Sequence, residues 1–151
     1  PRYVEWQQAG HVAAGKRAEV VTDGGGFVVL DGGFGFGQTV APQATALGIE
    51  RAQRHGTAVV ALRNSGHIGR AGAYAEQAVA AGLVSVHFVN VAGSVMVAPF
   101  GGVERRFSTA PFSVGVPTSP PVVLDFATSR VAEGKVLVAS NGGKPLPPDA
   151  L

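Results

Sequence analysis

The sequence contains no cysteine, and only 15% of its 151 residues are charged. The lack of cysteine excludes disulfide frameworks, thiol nucleophiles and thiolate metal sites. The formal net charge is only +2 and the basic residues are dispersed, whereas nucleic-acid-binding proteins cluster their positive charge. The apolar stretches are far shorter than a membrane span, and no charged-then-apolar leader opens the chain. We therefore expect neither a nucleic acid nor a membrane as partner, and a cytoplasmic location.

Glycine and proline are abundant, with 22 and 10 residues, while the hydrophobic fraction is 46%. This balance indicates a globular domain with many sharp turns and not a disordered segment. The chain opens on Pro1 and closes on the turn-rich stretch "NGGKPLPPDAL". We expect residues 1–151 to form a single partial domain, the central part of a longer chain that lacks its N- and C-terminal parts.

Hydrophobic periodicity predicts strands that alternate with helices. The predicted strands are 19–22, 27–30, 57–62, 83–91, 112–117 and 121–127; the predicted helices are 39–56, 71–82 and 129–138, after the end of an earlier helix at 4–10. The first two strands form a hairpin, and "GGFGFGQ" (32–38) is predicted to be a turn, with Thr39 capping the helix that follows. This order of elements predicts an α/β fold, with one mixed sheet and helices on its faces.

The glycines at 32–37 invite comparison with a dinucleotide-binding loop. Their spacing is G-x-G-x-G and not G-x-G-x-x-G, and the strand before them is the second arm of a hairpin. Glu50, about twenty residues further on, lies inside a helix, where it could not reach a ribose. The sequence therefore predicts a tight turn here and not a Rossmann fingerprint.

The sequence contains no motif that is typical of serine hydrolases or of metal-binding sites. The sequence has neither G-x-S-x-G nor H-E-x-x-H, and its histidines are scattered. His11 and His55 are predicted at the surface or at helix ends, and His87 is predicted as a packed or rim residue on a strand. We expect no metal site.

His67 lies in "RNSGHIGRAG" (63–72), between a predicted strand and a predicted helix. Such loops commonly carry function, and the flanking glycines allow a ligand to approach the ring. An imidazole can bind or release a proton near neutral pH. The same pattern also suits a solvated or structural histidine, so the residues alone leave both interpretations open.

The segment "VVLDFATS" (122–129) places Asp125 at the end of a predicted strand. One interpretation is that Asp125 and Thr128 cap the last helix. Another is that this junction of small residues offers backbone amides to a phosphate. The two interpretations are compatible.

Three ordered segments resemble one known family. They are "RNSGHIGRAGAYAEQAVAAGLVSVHFVNV", "VAPFGGVERRFSTAPFSVGVP" and "VVLDFATSRVAEGKV". They are similar to the malate/L-lactate dehydrogenase-like oxidoreductases of the non-Rossmann type, which include ureidoglycolate dehydrogenase, diketogulonate reductase and sulfolactate dehydrogenase. The resemblance implies a three-layer mixed-sheet fold that binds nicotinamide, NAD- or NADP-dependent interconversion of 2-oxo and 2-hydroxy acids, and a homodimer.

The resemblance also implies roles for individual residues. His67 matches the general acid/base, Asn90 matches a substrate-facing polar position, and residues 99–102 match a turn that shapes the pocket. The positions that match cofactor contacts are Asp125, Phe126, Ala127 and Thr128. Two features depart from the family: Thr109-Ala110-Pro111 replaces Thr-Asn-Pro, and the Ser-His-Gly motif with its nearby arginine does not precede Pro1.

The alternative to an active oxidoreductase is a non-catalytic remnant of such an enzyme, and a plain ligand-binding module comes third. The residues name neither the acid nor the choice between NAD and NADP.

Overall fold

The computed structural model describes residues 2–91, 93–148 and 150. The helices are α1 (Arg2–Gln8), α2 (Gly37–His55), α3 (Gly72–Ala80) and α4 (Glu133–Ser140). The strands are β1 (Glu19–Asp23), β2 (Phe27–Gly35), β3 (Val59–Ser65), β4 (Ser85–Phe88), β5 (Phe112–Val116) and β6 (Val122–Phe126). None of the helices in the described ranges is long and apolar enough to cross a membrane.

The strands form two sheets, ordered β1-β2-β3 and β4-β5-β6. In the first sheet β1 pairs with β2 as the predicted antiparallel hairpin, and β2 pairs in parallel with β3. The second sheet is antiparallel throughout. The α/β class and the mixed pairing are therefore confirmed, but the prediction of one sheet is wrong. Sheet membership depends on which distant strands pair, and the hydrophobic pattern along the chain does not contain that information.

The main core lies between the first sheet and α2. Its buried members Val28 and Leu30 alternate along β2, and Ala44 meets them from the helix. Gly48 of α2 lets this helix approach the sheet, since a Cβ there would lie 2.9 Å from Val60 Cγ2. Helix α3 lies on the second sheet in the same way, because a Cβ on Gly115 would lie 2.8 Å from the Ala75 carbonyl oxygen.

The predicted turn at 32–38 is wrong, because β2 continues to Gly35 through an irregularity in its pairing with β3. Gly33 and Phe34 adopt positive φ values of 54° and 56° in this bulge. The carboxylate of Asp31 stabilises the bulge by accepting hydrogen bonds from the Gly33 backbone N–H at 2.9 Å and from Asn64 Nδ2 at 2.8 Å. These bonds hold the pKa of Asp31 below its usual value.

The helix ends also differ from expectation. Helix α2 begins at Gly37 after Phe36, with no side-chain cap, so Thr39 is not the capping residue. Its end at Gly56, in the left-handed conformation with φ 83°, is as predicted. Helix α4 begins at Glu133 after Ala132, again without a side-chain cap. The capping of this last helix by Asp125 and Thr128 is therefore wrong.

Candidate active site

His67 lies in the loop 66–71, which joins β3 to α3. The loop begins with a hydrogen bond from the Gly66 backbone N–H to the Gly35 carbonyl oxygen, at 2.8 Å. It then passes directly over the start of α2. A Cβ on Gly37 would lie only 2.4 Å from the carbonyl oxygens of Gly66 and His67. Glycine at position 37 is thus what allows the loop to lie against the helix and fixes the place of the imidazole.

The second half of the loop is held from α3 and by a local turn. The buried Tyr74 hydroxyl donates to the Ile68 carbonyl oxygen. Burial raises the pKa of Tyr74, so this hydroxyl keeps its proton and remains a donor. Gly69, with φ +75°, turns its backbone N–H toward His67 Nδ1, at 3.3 Å. The ring therefore sits in a loop that is tied at both ends.

Aromatic side chains from α1 pack around the His67 ring. The Tyr3 hydroxyl lies 2.6 Å from His67 Nδ1, and Gln38 Nε2 of α2 donates to the same hydroxyl at 2.8 Å. The Trp6 ring centroid is 6.4 Å from that of His67, and the Trp6 and Tyr3 rings meet edge to face at 5.4 Å. The Nδ1 side of the imidazole is thus occupied by hydrogen-bonding partners.

The carboxyl end of β6 lies opposite the loop. Here Asp125 Oδ2 accepts a hydrogen bond from the Gly72 backbone N–H, at 2.9 Å, at the start of α3. The carboxylate suits this position because the first backbone N–H groups of a helix lack partners within the helix. Asp125 therefore caps α3, the helix that follows the His67 loop, and joins the two walls of the site.

A cavity of about 350 Å³ separates these walls. Small-molecule sites commonly span about 300–1,000 Å³ and combine apolar walls with a few polar groups. The lining residues are His67, Gly69, Arg70, Ala71, Thr109, Pro111, Asp125, Phe126, Ala127, Ala132, Glu133 and Gly134. The cavity has both kinds of lining, and its volume lies within this range.

The structure brings four of the predicted site residues together at this cavity, namely His67, Asp125, Phe126 and Ala127. Thr128 has a supporting position, because its backbone N–H and its Oγ1 both contact the Thr109 carbonyl oxygen, at 2.9 and 3.1 Å. Asn90 is exposed beyond the end of β4, and residues 99–102 form an exposed turn. Neither of these two is among the residues that line the cavity.

Two charged residues of the cavity lining were not among the predicted site residues. Arg70 lines the cavity and makes two hydrogen bonds to Glu76, at 2.9 and 2.7 Å, which lower the pKa of Glu76. Glu133 lines the cavity from the start of α4, and its Oε1 accepts a hydrogen bond from Arg2 Nη1 at 3.2 Å. Arg70 was indicated as a site residue only by its place between a predicted strand and a predicted helix. No local sequence signal indicated Glu133. In the described part of the chain, no three histidine or acidic side chains converge as a metal site would require.

The fold and the cavity define an α/β protein with a cavity of small-molecule size between a glycine-rich loop and a strand end. A family profile described as malate/L-lactate dehydrogenase matches residues 1–151. The chain belongs to this family.

Relatives and solved structures agree with that assignment. The chain is 51% identical to hydroxycarboxylate dehydrogenase B of Escherichia coli K12, over 100% of the chain and 42% of the relative. It is 44% identical to an L-lactate dehydrogenase of Cupriavidus necator, over 87% and 39% respectively. The crystal structure of malate dehydrogenase from Entamoeba histolytica superimposes with a TM-score of 0.89 at 28% identity, covering 96% of the chain and 40% of that protein. Sulfolactate dehydrogenase from Methanocaldococcus jannaschii gives a TM-score of 0.85 at 32% identity, covering 97% and 42%. The chain thus spans about 42% of the length of the first of these relatives.

Proposed function

We propose that the protein is an NAD- or NADP-dependent oxidoreductase that interconverts 2-hydroxy and 2-oxo acids, with His67 as the general acid/base. One observation carries this proposal: His67 and the strand end 125–127 line the same cavity. Membership of the malate/L-lactate dehydrogenase family supports the reaction class. The related proteins are named for lactate and malate, which are 2-hydroxy acids, and for hydroxycarboxylates, the broader class that contains them.

His67 is suited to move the proton of this reaction. Reduction of a 2-oxo acid leaves negative charge on the former carbonyl oxygen, and oxidation of a 2-hydroxy acid removes the hydroxyl proton. Nδ1 of the ring is engaged by Tyr3 and Gly69. Nε2, on the other edge of the ring, is therefore the atom that exchanges a proton with the substrate.

A nicotinamide fits the cavity in size and in the character of its walls. Pro111 and Ala127 offer apolar surface to a flat ring, and Thr109 lies beside them. Asp125, Phe126 and Ala127 would hold the group, with Thr128 stabilising the facing segment through Thr109. When bound, the coenzyme supplies or accepts the hydride at the carbon that bears the oxygen.

We also propose the residues that recognise the acid. Arg70 is the cationic side chain of the cavity lining, and a guanidinium is the group best suited to bind a carboxylate. Its present partner Glu76 is exposed, so a substrate carboxylate can compete for it at small cost. Asn90 remains the proposed polar contact implied by the family resemblance.

The open face of the second sheet supports a homodimer. The face opposite α3 is entirely apolar, and it consists of Val86, Phe88, Phe112, Val114, Val116, Val122, Leu124 and Phe126. Phe88 is 81% exposed. The Phe112 ring lies between those of Phe88 and Phe126, with centroid distances of 5.3 Å and 5.5 Å respectively. Apolar patches of this kind commonly mark an interface, and we propose that a second copy covers this one.

Hydride transfer to a panel of 2-oxo acids tests the proposed function. The protein is incubated with NADH or NADPH and each acid, and coenzyme oxidation is followed by absorbance. We expect turnover of at least one acid, and a loss of about 100-fold or more in His67→Gln. His11→Gln, which alters an exposed histidine away from the cavity, is the matched control. A protein inactive with every acid, or an active His67→Gln variant, contradicts the proposal.

Coenzyme binding distinguishes the alternative of a non-catalytic remnant. NADH is titrated with the protein, and its own emission is monitored. Saturable binding of NADH without turnover of any acid would support the ligand-binding module. Absence of both binding and turnover would support the non-catalytic remnant.

A further inference from the structure

The hydrogen bonds around His67 determine which ring nitrogen carries the proton. The Gly69 backbone N–H can only donate, and it points at Nδ1 from 3.3 Å. The Tyr3 hydroxyl lies 2.6 Å from the same nitrogen. Gln38 Nε2 donates to the Tyr3 oxygen at 2.8 Å, so the Tyr3 hydrogen is directed toward His67. Nδ1 is therefore an acceptor, and the neutral ring carries its proton on Nε2.

We propose that Tyr3, oriented by Gln38, is a positioning residue that holds neutral His67 in the Nε2–H form. Tyr3 acts from α1, 64 residues away in the sequence from the histidine it orients. This assignment deepens the proposed function and rests on it for its catalytic meaning. The geometry itself concerns only residues of this chain.

The arrangement also provides a source for the proton that leaves the ring. As the substrate oxygen gains negative charge, the Nε2–H bond breaks and a substrate O–H bond forms. The Tyr3 O–H bond breaks and an Nδ1–H bond forms, so His67 stays neutral throughout. The remaining tyrosinate accepts the Gln38 N–H, and water reprotonates it, since Tyr3 is 38% exposed. One proton thus passes from Tyr3 to the substrate oxygen through the imidazole.

Nitrogen-15 NMR of the histidine rings tests the tautomer without any need for activity. Spectra of the protein are recorded at about pH 8.5, where imidazoles are ordinarily neutral. We expect His67 to show a protonated Nε2 and an unprotonated Nδ1. Tyr3→Phe removes the stronger donor to Nδ1, so the fraction with Nδ1–H should rise. Tyr74→Phe, which removes the other tyrosine hydroxyl from the same loop, should leave the tautomer unchanged.

The kinetic arm links the tautomer to the reaction. Tyr3→Phe should lower kcat for 2-oxo acid reduction by about 10- to 100-fold and leave KM nearly unchanged, because only proton delivery is affected. A wild-type His67 with its proton on Nδ1, or a Tyr3→Phe variant with an unchanged tautomer, overturns the proposal. If the wild type lacks activity, the proposed function fails, but the NMR result still decides the role of Tyr3.

Discussion

The carboxylate of Asp125 accepts a hydrogen bond from the backbone N–H of Gly72 at 2.9 Å, across 53 residues of sequence. This contact fastens the end of β6 to the start of α3, and so fixes the distance between the two walls of the cavity. It requires a glycine at position 72. A Cβ there would lie 2.7 Å from Asp125 Oδ2 and 2.9 Å from Asp125 Cβ.

We therefore predict that Gly72→Ala destabilises the protein by about 1–3 kcal/mol, because the added methyl must displace the Asp125 side chain and weaken the cap. Urea unfolding with an unchanged slope checks this. Gly134→Ala is the control, since a Cβ there meets open space. That variant should keep its stability or gain up to about 1 kcal/mol as a helical alanine. Equal stability of Gly72→Ala and wild type would contradict the prediction.

His87 makes stability depend on pH in the weakly acidic range. It is half-buried on β4, with Nε2 3.0 Å from Ser85 Oγ, and burial lowers its pKa. The unfolded chain binds a proton at His87 from about pH 6.5 downward, before the folded chain does. The stability that neutral His87 contributes is fully present above about pH 6.5. It is lost as the pH falls toward the lowered pKa of His87 in the folded protein. Since glutamine does not titrate, His87→Gln should narrow the difference between urea midpoints at about pH 7.5 and about pH 5.5.

The matched variant for His87 is His11→Gln, in which an exposed histidine is replaced. It should keep the wild-type pH dependence. If the urea midpoint changes by the same amount between the two pH values in both variants, burial of His87 does not have the proposed effect.

The apolar face of the second sheet gives a prediction about assembly. Leu124→Lys places a charge on that face at the middle of β6, on a residue 49% exposed in the single chain. We expect a dimeric wild type and a monomeric variant, measured by size-exclusion chromatography with light scattering, because a dimer would bury the ammonium without a partner. Val21→Lys introduces the same charge on β1, at a residue 50% exposed, and should remain dimeric. A wild-type monomer, or a Leu124→Lys dimer, would count against the proposed interface.

Local patterns predicted the elements of the fold well. The hairpin of β1 and β2, the long helix ending at Gly56 and the buried face of α3 through Tyr74, Ala75 and Ala78 all follow from spacing and turn residues. The division into two sheets and the continuation of β2 to Gly35 did not follow. Both depend on pairing with strands that lie far away in the sequence.

The residues of the site also fall into two groups, those that local patterns indicated and those whose contacts come from distant parts of the sequence. The glycine-flanked loop pointed to His67, and the strand end pointed to Asp125. The hydrogen bond between Asp125 and α3 was not predicted, because its partner Gly72 belongs to a distant helix and not to the adjacent α4. Tyr3 was missed for the same reason, since nothing near position 3 indicates a contact with position 67.

The position of Trp6 has a practical consequence. It is the single tryptophan of the chain, and its ring centroid lies 6.4 Å from that of His67. The indole therefore serves as a built-in optical sensor, with no other tryptophan to mask its signal. Changes in its emission spectrum report directly on the surroundings of the imidazole.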